Sequence, residues 1–514
     1  MNTRFKSFLY ALPLIMTFMS LSCKKGTFDI NTNPNVPVTV NPQLILSYAL
    51  SQSAAIAAGN PGDGSTSGTD ILDCYMGYWA ISGDYSPNSS TLNYHVTTDF
   101  GASNWDMTYP LLKNYKNIEN YYTGKTIAGA NYLAIAKIMK AYHIQRLVDM
   151  YNNIPYSKAL NGETSTTPGY DDAKTVYKSL VAQLDTAISL IDKATSASDD
   201  PGKYDGVYAG DMAEWQKLAN SIKLRLLLNL TKTSDGDAFI KAELKGLVTD
   251  DFIGTGDDAA ENPGYSNGST NQQNPLWQDI GYTPTGGKQG NTAYFRANAY
   301  AVSFYNSTND PRVSLFYTVN GGGKIKGRVF GSTALEHNAD ISSIGGNPDG
   351  AVQTSGLLAS PKQSAYLFSA AESYFLLAEA VQRNYLAGNA SDFYVLGVTE
   401  SFNMLGVPDY ETAATTYVAQ PGDNTDFVNS TDKIKTIITQ KWAALNSYNP
   451  LSAWNDWRRL GIPADLPVSI YPGTTAPHIP YRFLYPTSEY SYNSANVNAQ
   501  GTIDAITSKI FWMP

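Results

Sequence analysis

Apolar residues recur every three or four positions through most of the chain, the signature of amphipathic helices. The pattern predicts helices over 43–58, 69–81, 105–122, 131–150, 172–194 and 211–231, and again over 364–385, 391–405, 431–446 and 451–460. Within 172–194, Val176, Leu180, Leu184, Ile188 and Ile191 fall on one stripe; Trp215, Leu218, Ala219, Ile222 and Leu226 do the same in 211–231. Successive segments begin near 131, 172 and 211, a spacing of roughly 40 that suggests helical-repeat packing of the tetratricopeptide type. The period breaks between about 250 and 361, where Gly, Asn, Ser, Pro and aromatics dominate, with β-like runs such as Val313-Ser314-Leu315-Phe316-Tyr317. A loop-rich insertion of that length is usually functional. The expected fold is mainly all-α: a helical-repeat scaffold carrying long aromatic loops, in one domain over 42–514.

Composition narrows the function. Against 36 Lys+Arg stand 45 Asp+Glu, giving a formal charge of −9. A nucleic-acid partner is excluded, because such binding rests on dense basic clusters that neutralise phosphates. Hydrophobic residues at 43% suffice for a large core, so global disorder is excluded too. Aromatics reach 12%, with 36 Tyr, while charged residues are only 16%. That balance suits a protein outside the cytoplasm that handles neutral polar ligands.

The N-terminus supports export. Arg4 and Lys6 precede an apolar run, 8–21, that is too short for a membrane span of about 20 residues and reads as the core of a signal peptide over 1–22. Ser22 directly before Cys23 resembles a bacterial lipobox, although Ser20 stands where Leu is usual. Cys23 is then the lipid attachment site and anchors the chain to a membrane; the alternative is an ordinary signal peptide cut elsewhere. Residues 23–41, rich in Asn, Thr and Pro, read as an extended tether. Cys74, in an apolar stretch, reads as a buried small hydrophobe.

Enzyme signatures are missing. There is no GxxxxGK[ST], no GxGxxG after a strand, no HExxH and no G-x-S-x-G; the histidines, His95, His143, His337 and His478, are scattered. No metal or other cofactor is implied. Glu372 and Glu379, seven apart, share a helix face, but helix-packing acids paired with Arg are commoner than a catalytic pair. Asp250, Asp251, Asp257, Asp258 and Glu261 make an acidic loop cluster that reads as solvated, without the spacing of an EF-hand.

Three stretches carry a family resemblance. The first runs from Ala134-Ile135-Ala136-Lys137-Ile138-Met139-Lys140-Ala141-Tyr142 into Leu147-Val148-Asp149-Met150-Tyr151-Asn152-Asn153-Ile154-Pro155-Tyr156-Ser157. The second is Ala370-Ala371-Glu372-Ser373-Tyr374-Phe375-Leu376-Leu377-Ala378-Glu379-Ala380. The third pairs Trp454-Asn455-Asp456-Trp457-Arg458-Arg459-Leu460-Gly461 with Ile479-Pro480-Tyr481-Arg482-Phe483-Leu484-Tyr485-Pro486-Thr487-Ser488-Glu489. Together with Cys23, and in this order along nearly the whole mature chain, they resemble the SusD/RagB family of nutrient-binding outer-membrane lipoproteins. The family usually has Gly where Asn152 stands, and Asn is the next best residue for a left-handed backbone. Arg482 and Glu489 are placed to clamp the C-terminal segment onto the helices.

The resemblance implies a single α-helical domain built on tetratricopeptide-like pairs. It implies a lipid-anchored protein at the outer membrane, partnered with a SusC-like TonB-dependent barrel, that captures oligosaccharides or peptides without chemistry. Surface export in this family goes with acidic residues after the lipidated cysteine; Lys24-Lys25 stand there instead, which leaves a periplasmic orientation open.

A sugar presents a hydroxyl rim and apolar C–H faces, so its site needs flat aromatic surfaces edged by amides or hydroxyls. Two regions supply that mixture: 75–93, with Trp79, Tyr85 and Asn88, and 274–300, with Trp277, Tyr282, Asn291 and Arg296. Trp79 reads equally as core; Trp277 and Tyr85, set among Gly and Pro, are favoured as stacking residues. Two other functions compete: a secreted glycan hydrolase using loop carboxylates, and a protein-binding helical scaffold whose aromatics are core.

Overall fold

The computed structural model describes residues 41–59, 68–347 and 349–514; the segment 1–22, Cys23 and the tether as far as 40 lie outside the described residues. Helices dominate: α1 Pro42–Ala57, α2 Gly68–Tyr75, then the short strand β1 Trp79–Ile81, then α3 Thr108–Tyr121, α4 Ala130–Tyr151, α5 Ala173–Asp192 and α6 Met212–Asn229. After them come β2 Ala259–Glu261, α7 Pro275–Ile280, β3 Phe295–Ala297 and α8 Ala299–Ser307. The C-terminal part holds β4 Ala365–Phe368, α9 Ala370–Gln382, α10 Ala390–Leu405, α11 Tyr410–Val418, α12 Lys433–Leu445 and α13 Pro450–Leu460.

Helices adjacent in sequence pack together: α3 on α4, α4 on α5, α5 on α6, and again α9 on α10, α10 on α11, α12 on α13. Contacts of α6 with α9 and with α13 join the two series. Polar caps start these helices where the stripe begins. The Asp172 carboxylate accepts from the Thr175 N–H, Asp211 from Ala213 and Glu214, Ser369 from Glu372, and Asp432 from Lys435, satisfying N–H groups that have no partner within the helix. Gly406 and Gly461, at φ 72° and 69°, end α10 and α13 in the left-handed conformation that glycine adopts without steric cost. Asn152 ends α4 at φ 66°, the positive φ expected of it, and its side-chain oxygen accepts from the Phe511 N–H at 2.9 Å.

Aromatic side chains fill the core. Trp79, Trp215, Trp277, Trp442, Trp454 and Trp512 are all fully enclosed, and Cys74 is buried as a small hydrophobe among apolar neighbours. Buried charges tie the helical series together. Arg459 of α13 reaches Glu379 of α9 with both terminal nitrogens, at 2.5 and 2.7 Å, and Asp456 at 2.7 Å. Arg225 of α6 lies 3.4 Å from Glu372, which also accepts from Ser452 and Asn449. Glu372 and Glu379 are thus bound by arginines and amides inside the helix stack, in the packing role.

Four expectations change. The helix over 364–385 begins only at Ala370, because 365–368 forms β4 and pairs antiparallel with β2. The helix over 69–81 stops at Tyr75, because Gly77 turns the chain at φ 74° with the Tyr300 ring where a Cβ would sit, and 79–81 forms strand β1. Val313–Phe316 is a short helix, although its residues favour strand. The acidic loop is solvated only at Asp250, which is exposed; Asp251 accepts from the Val248 N–H, Asp257 pairs with Lys217, Asp258 accepts from the Ala370 N–H, and Glu261 accepts the Tyr265 hydroxyl. The C-terminal clamp does form, through separate partners. Arg482 donates to the Tyr151 carbonyl at the end of α4, while Glu489 accepts from the Tyr170 hydroxyl at 2.7 Å and from Asn493 at 3.0 Å.

Candidate functional site

The two aromatic regions nominated from sequence meet in space. β1 and β3 pair antiparallel, with Trp79 opposite Ala297, Ala80 opposite Arg296 and Ile81 opposite Phe295. Asn298 locks the joint: its amide donates to the Trp79 carbonyl at 2.9 Å and its own N–H to the Tyr78 carbonyl at 3.0 Å. The loop that follows β1, from Ser82, and the residues that precede β3 therefore lie side by side.

This joint has an inside and an outside. Trp79 packs against Phe295 at 5.0 Å and donates its indole N–H to Ser447 at 2.8 Å. Trp277 donates to the Tyr282 carbonyl at 2.8 Å, and the Tyr282 hydroxyl to the Asn347 carbonyl at 3.2 Å. Arg296 is enclosed as well. It donates to Asn338 at 2.5 Å and to the carbonyls of Thr292 and Phe295, and burial holds its pKa down to about 10 against the pull of Tyr85, Asp84 and Tyr282. Trp79, Trp277, Tyr282 and Arg296 therefore support the surface from beneath. All four are buried as folded, Trp277 among them, although its setting among Gly and Pro favours an exposed stacking residue. Asn291, half-buried, spends its amide on Asp279 at 2.6 Å.

Outside stand Tyr85 and Asn88. Tyr85 is 42% exposed and sits edge-on to Tyr294, ring centroids 5.3 Å apart at 85°. Asn88 is exposed; its side-chain oxygen caps the short helix Ser89–Leu92, accepting from the Thr91 N–H, and its side chain also bonds Tyr294. Burial raises the Tyr294 phenol to about 12, with the Asn88 bond opposing, so Tyr294 is a neutral hydroxyl at any physiological pH.

The backing of this ledge is polar. The Asp84 carboxylate accepts from the Asn338 N–H at 2.7 Å and lies 2.7 Å from His337 Nδ1; these bonds hold its carboxyl below the usual range. Ser82 donates its hydroxyl to Asn338 at 2.7 Å and its N–H to the Tyr294 carbonyl at 2.8 Å. Sequence reading missed Tyr294, although it lies inside the nominated stretch, because no local pattern separates it from its buried neighbour Phe295. It missed His337 as well: its partner Asp84 is 253 residues away.

The arrangement is two tyrosine rings at right angles, edged by an amide and two phenol hydroxyls, on a rigid two-stranded joint. It can stack against the C–H face of a sugar ring and hydrogen-bond its hydroxyls. Among the described residues no group of three or more His, Cys, Asp or Glu is arranged to hold a metal ion.

A SusD-like family model, described as starch-binding and associating with the outer membrane, matches residues 34–486. Among solved structures, a SusD-like protein from Bacteroides thetaiotaomicron superposes with a TM-score of 0.71 at 22% identity, covering 92% of this chain and 99% of that one. A chitin-binding SusD homologue from Flavobacterium johnsoniae gives 0.71 at 23%, covering 92% and 97%. A SusD homologue from Bacteroides vulgatus gives 0.72 at 20%, covering 91% and 97%. No curated protein matches the chain.

Proposed function

Because the chain belongs to the SusD-like family, whose members bind carbohydrate and associate with the outer membrane, we propose that it is a non-catalytic, cell-surface lipoprotein that captures an oligosaccharide and delivers it to a SusC-like TonB-dependent barrel. The observation that carries the reading is the Tyr85–Tyr294 ledge edged by Asn88, a stacking surface with polar rims in which Tyr85 is exposed. Chitin binding in a structural relative makes chito-oligosaccharides the first ligands to try.

The rivals read the same residues differently. A hydrolase using loop carboxylates would need two free ones across a cleft, whereas Asp251, Asp257, Asp258 and Glu261 each hold a partner, and the helix pair Glu372 and Glu379 is engaged by Arg225 and Arg459. A purely protein-binding scaffold would leave its aromatics in the core. Tryptophan does lie there, but Tyr85 stands out in solvent. Incubating the purified protein with chito-oligosaccharides and malto-oligosaccharides should deplete free ligand without releasing shorter products. Product release would favour the hydrolase, and no depletion of any neutral glycan would favour the scaffold.

Attachment in this reading is through a lipid on Cys23; among the described residues no helix is long and apolar enough to cross a membrane. Cys23→Ser is expected to move the protein from the membrane fraction to the soluble one. The parent, extracted in mild detergent, should co-purify with a large β-barrel. Unchanged membrane association in the variant, or a parent that never crosslinks to a barrel, would overturn this part of the proposal.

A further inference from the structure

A positively charged pocket lies on the N-terminal helix series, on residues the Tyr85 ledge does not use. Lys116 on α3 and Lys137 and Lys140 on α4 gather round a single carboxylate, Glu119, with Nζ–O distances of 3.7, 3.5 and 2.8 Å. Three ammonium groups share one negative charge in a protein whose formal charge is −9. Lys140 and Glu119 are each only 12% exposed, so solvent screens them poorly. Burial pulls the Lys140 pKa down, and the like charges of Lys116 and Lys137 add to that pull while Glu119 opposes it. Burial would raise the Glu119 carboxyl, but the three lysines bring it below its ordinary value. The group as it stands lacks negative charge.

Beside these lysines is a cavity of about 290 Å³, lined among others by Tyr109, Lys116, Lys140, Tyr156, Asn161 and Gln183. Its remaining lining is largely apolar, from Leu112, Ile144 and Pro155. The walls are held in place. The Tyr109 hydroxyl donates to the Pro155 carbonyl at 2.8 Å, the Gln183 amide to the Lys137 carbonyl at 2.7 Å, and Lys113 to the Leu160 carbonyl at 3.1 Å. The one other acid bonded to this wall, Asp171, accepts from the Tyr156 N–H, the Ser157 N–H and the Ser157 hydroxyl, so it does not compete for the ammonium groups.

Two cations, two amides and several apolar side chains lining one small cavity suit a small anionic polar molecule with a C–H face. The volume sits at the low end for small-molecule sites and suits one ring better than a chain. We propose that this pocket binds the carboxylate-bearing ring of an acidic sugar, with Lys116 and Lys140 on the carboxylate and the apolar lining against the ring. The site is separate from the neutral-sugar ledge, so the two can succeed or fail independently.

Calorimetry on the full chain with D-glucuronate, D-glucose and sodium sulfate tests it. Glucuronate should bind at least tenfold more tightly than glucose or sulfate. Lys140→Met and Lys116→Gln should each weaken it by about tenfold or more, the range expected for losing a charged hydrogen bond to a carboxylate. Lys116 is about one-third exposed, so its variant keeps the test valid if Lys140→Met folds poorly. Equal binding of glucose, equal binding of sulfate, no glucuronate binding, or undiminished binding in Lys116→Gln would each overturn the proposal. A preparation that binds neutral oligosaccharide and not glucuronate sinks this site alone and leaves the ledge standing.

Discussion

Replacing Tyr85 and Tyr294 together with alanine is expected to weaken oligosaccharide binding about 10- to 100-fold while the protein stays folded. Each lost stacking contact is worth on the order of 1 kcal/mol or more, and the two rings form one corner, so their losses combine. Tyr85 is exposed and Tyr294 only half-buried, so the core survives the change. Asn88→Ala should weaken binding less and also loosen the short helix Ser89–Leu92, which it caps. Trp277→Ala is the instructive contrast. It deletes an enclosed indole and should cost about 3–5 kcal/mol of stability, so any lost binding there would reflect unfolding. Circular dichroism and glycan titration on the same samples separate the two outcomes. A folded Tyr85/Tyr294 double variant that binds like the parent would move the site elsewhere.

Arg459→Met is expected to lower unfolding free energy at neutral pH by about 3–5 kcal/mol, because it strands the Glu379 carboxylate in the helix stack. Arg459 is 1% exposed and Glu379 0%, and Arg459 also bonds Asp456 and the Leu228 carbonyl. The one other arginine on Glu379, Arg383, is 21% exposed, so Arg383→Met should cost about 1 kcal/mol or less. The pH dependence follows from the same pair. Burial alone would raise the Glu379 carboxyl, but Arg459 first, then Arg383 and Lys441, bring it down to about 2. A carboxyl depressed in the folded state stabilises fully above its unfolded value of about 4.3 and loses that contribution as pH falls toward 2. The parent should therefore lose stability between about pH 4 and pH 2, and the variant should lose less over that window. Urea midpoints at pH 7, 4 and 3 measure it; an Arg459→Met midpoint equal to the parent's at pH 7 would refute the account.

Helices were legible wherever a stripe and a cap coincide. The pattern over 172–194 became Ala173–Asp192, and that over 391–405 became Ala390–Leu405, because the residues that decide a helix lie within one or two turns of each other. The motif around Trp454–Gly461 was equally readable, and α13 carries the arginines that bind both helix series. Local information failed at 79–81. Those apolar residues continue the stripe of α2, yet their partner strand lies beyond residue 290, and pairing with it outweighs the local preference. Val313–Phe316 failed in the opposite sense. Its β-branched and aromatic residues favour strand, but only Tyr317, the last residue of the expected run, makes a β bridge, to Ile344.

What the sequence determined by itself is the helical scaffold, the family, and the two chain regions that build the ledge. All three depend on residue order and spacing within short windows. Which aromatics face solvent was decided only by tertiary structure. Trp79 is enclosed where β1 pairs with β3, Trp277 and Tyr282 are enclosed by their bonds to each other and to the Asn347 carbonyl, and Tyr85 is left exposed with Tyr294 half-buried beside it. The charge imbalance around Glu119 is tertiary too: Lys116 shares its helix, but Lys137 and Lys140 arrive from the next, and only packing brings three ammonium groups onto one carboxylate. Burial and electrostatic sharing are properties of neighbours in space, which a one-dimensional pattern does not encode.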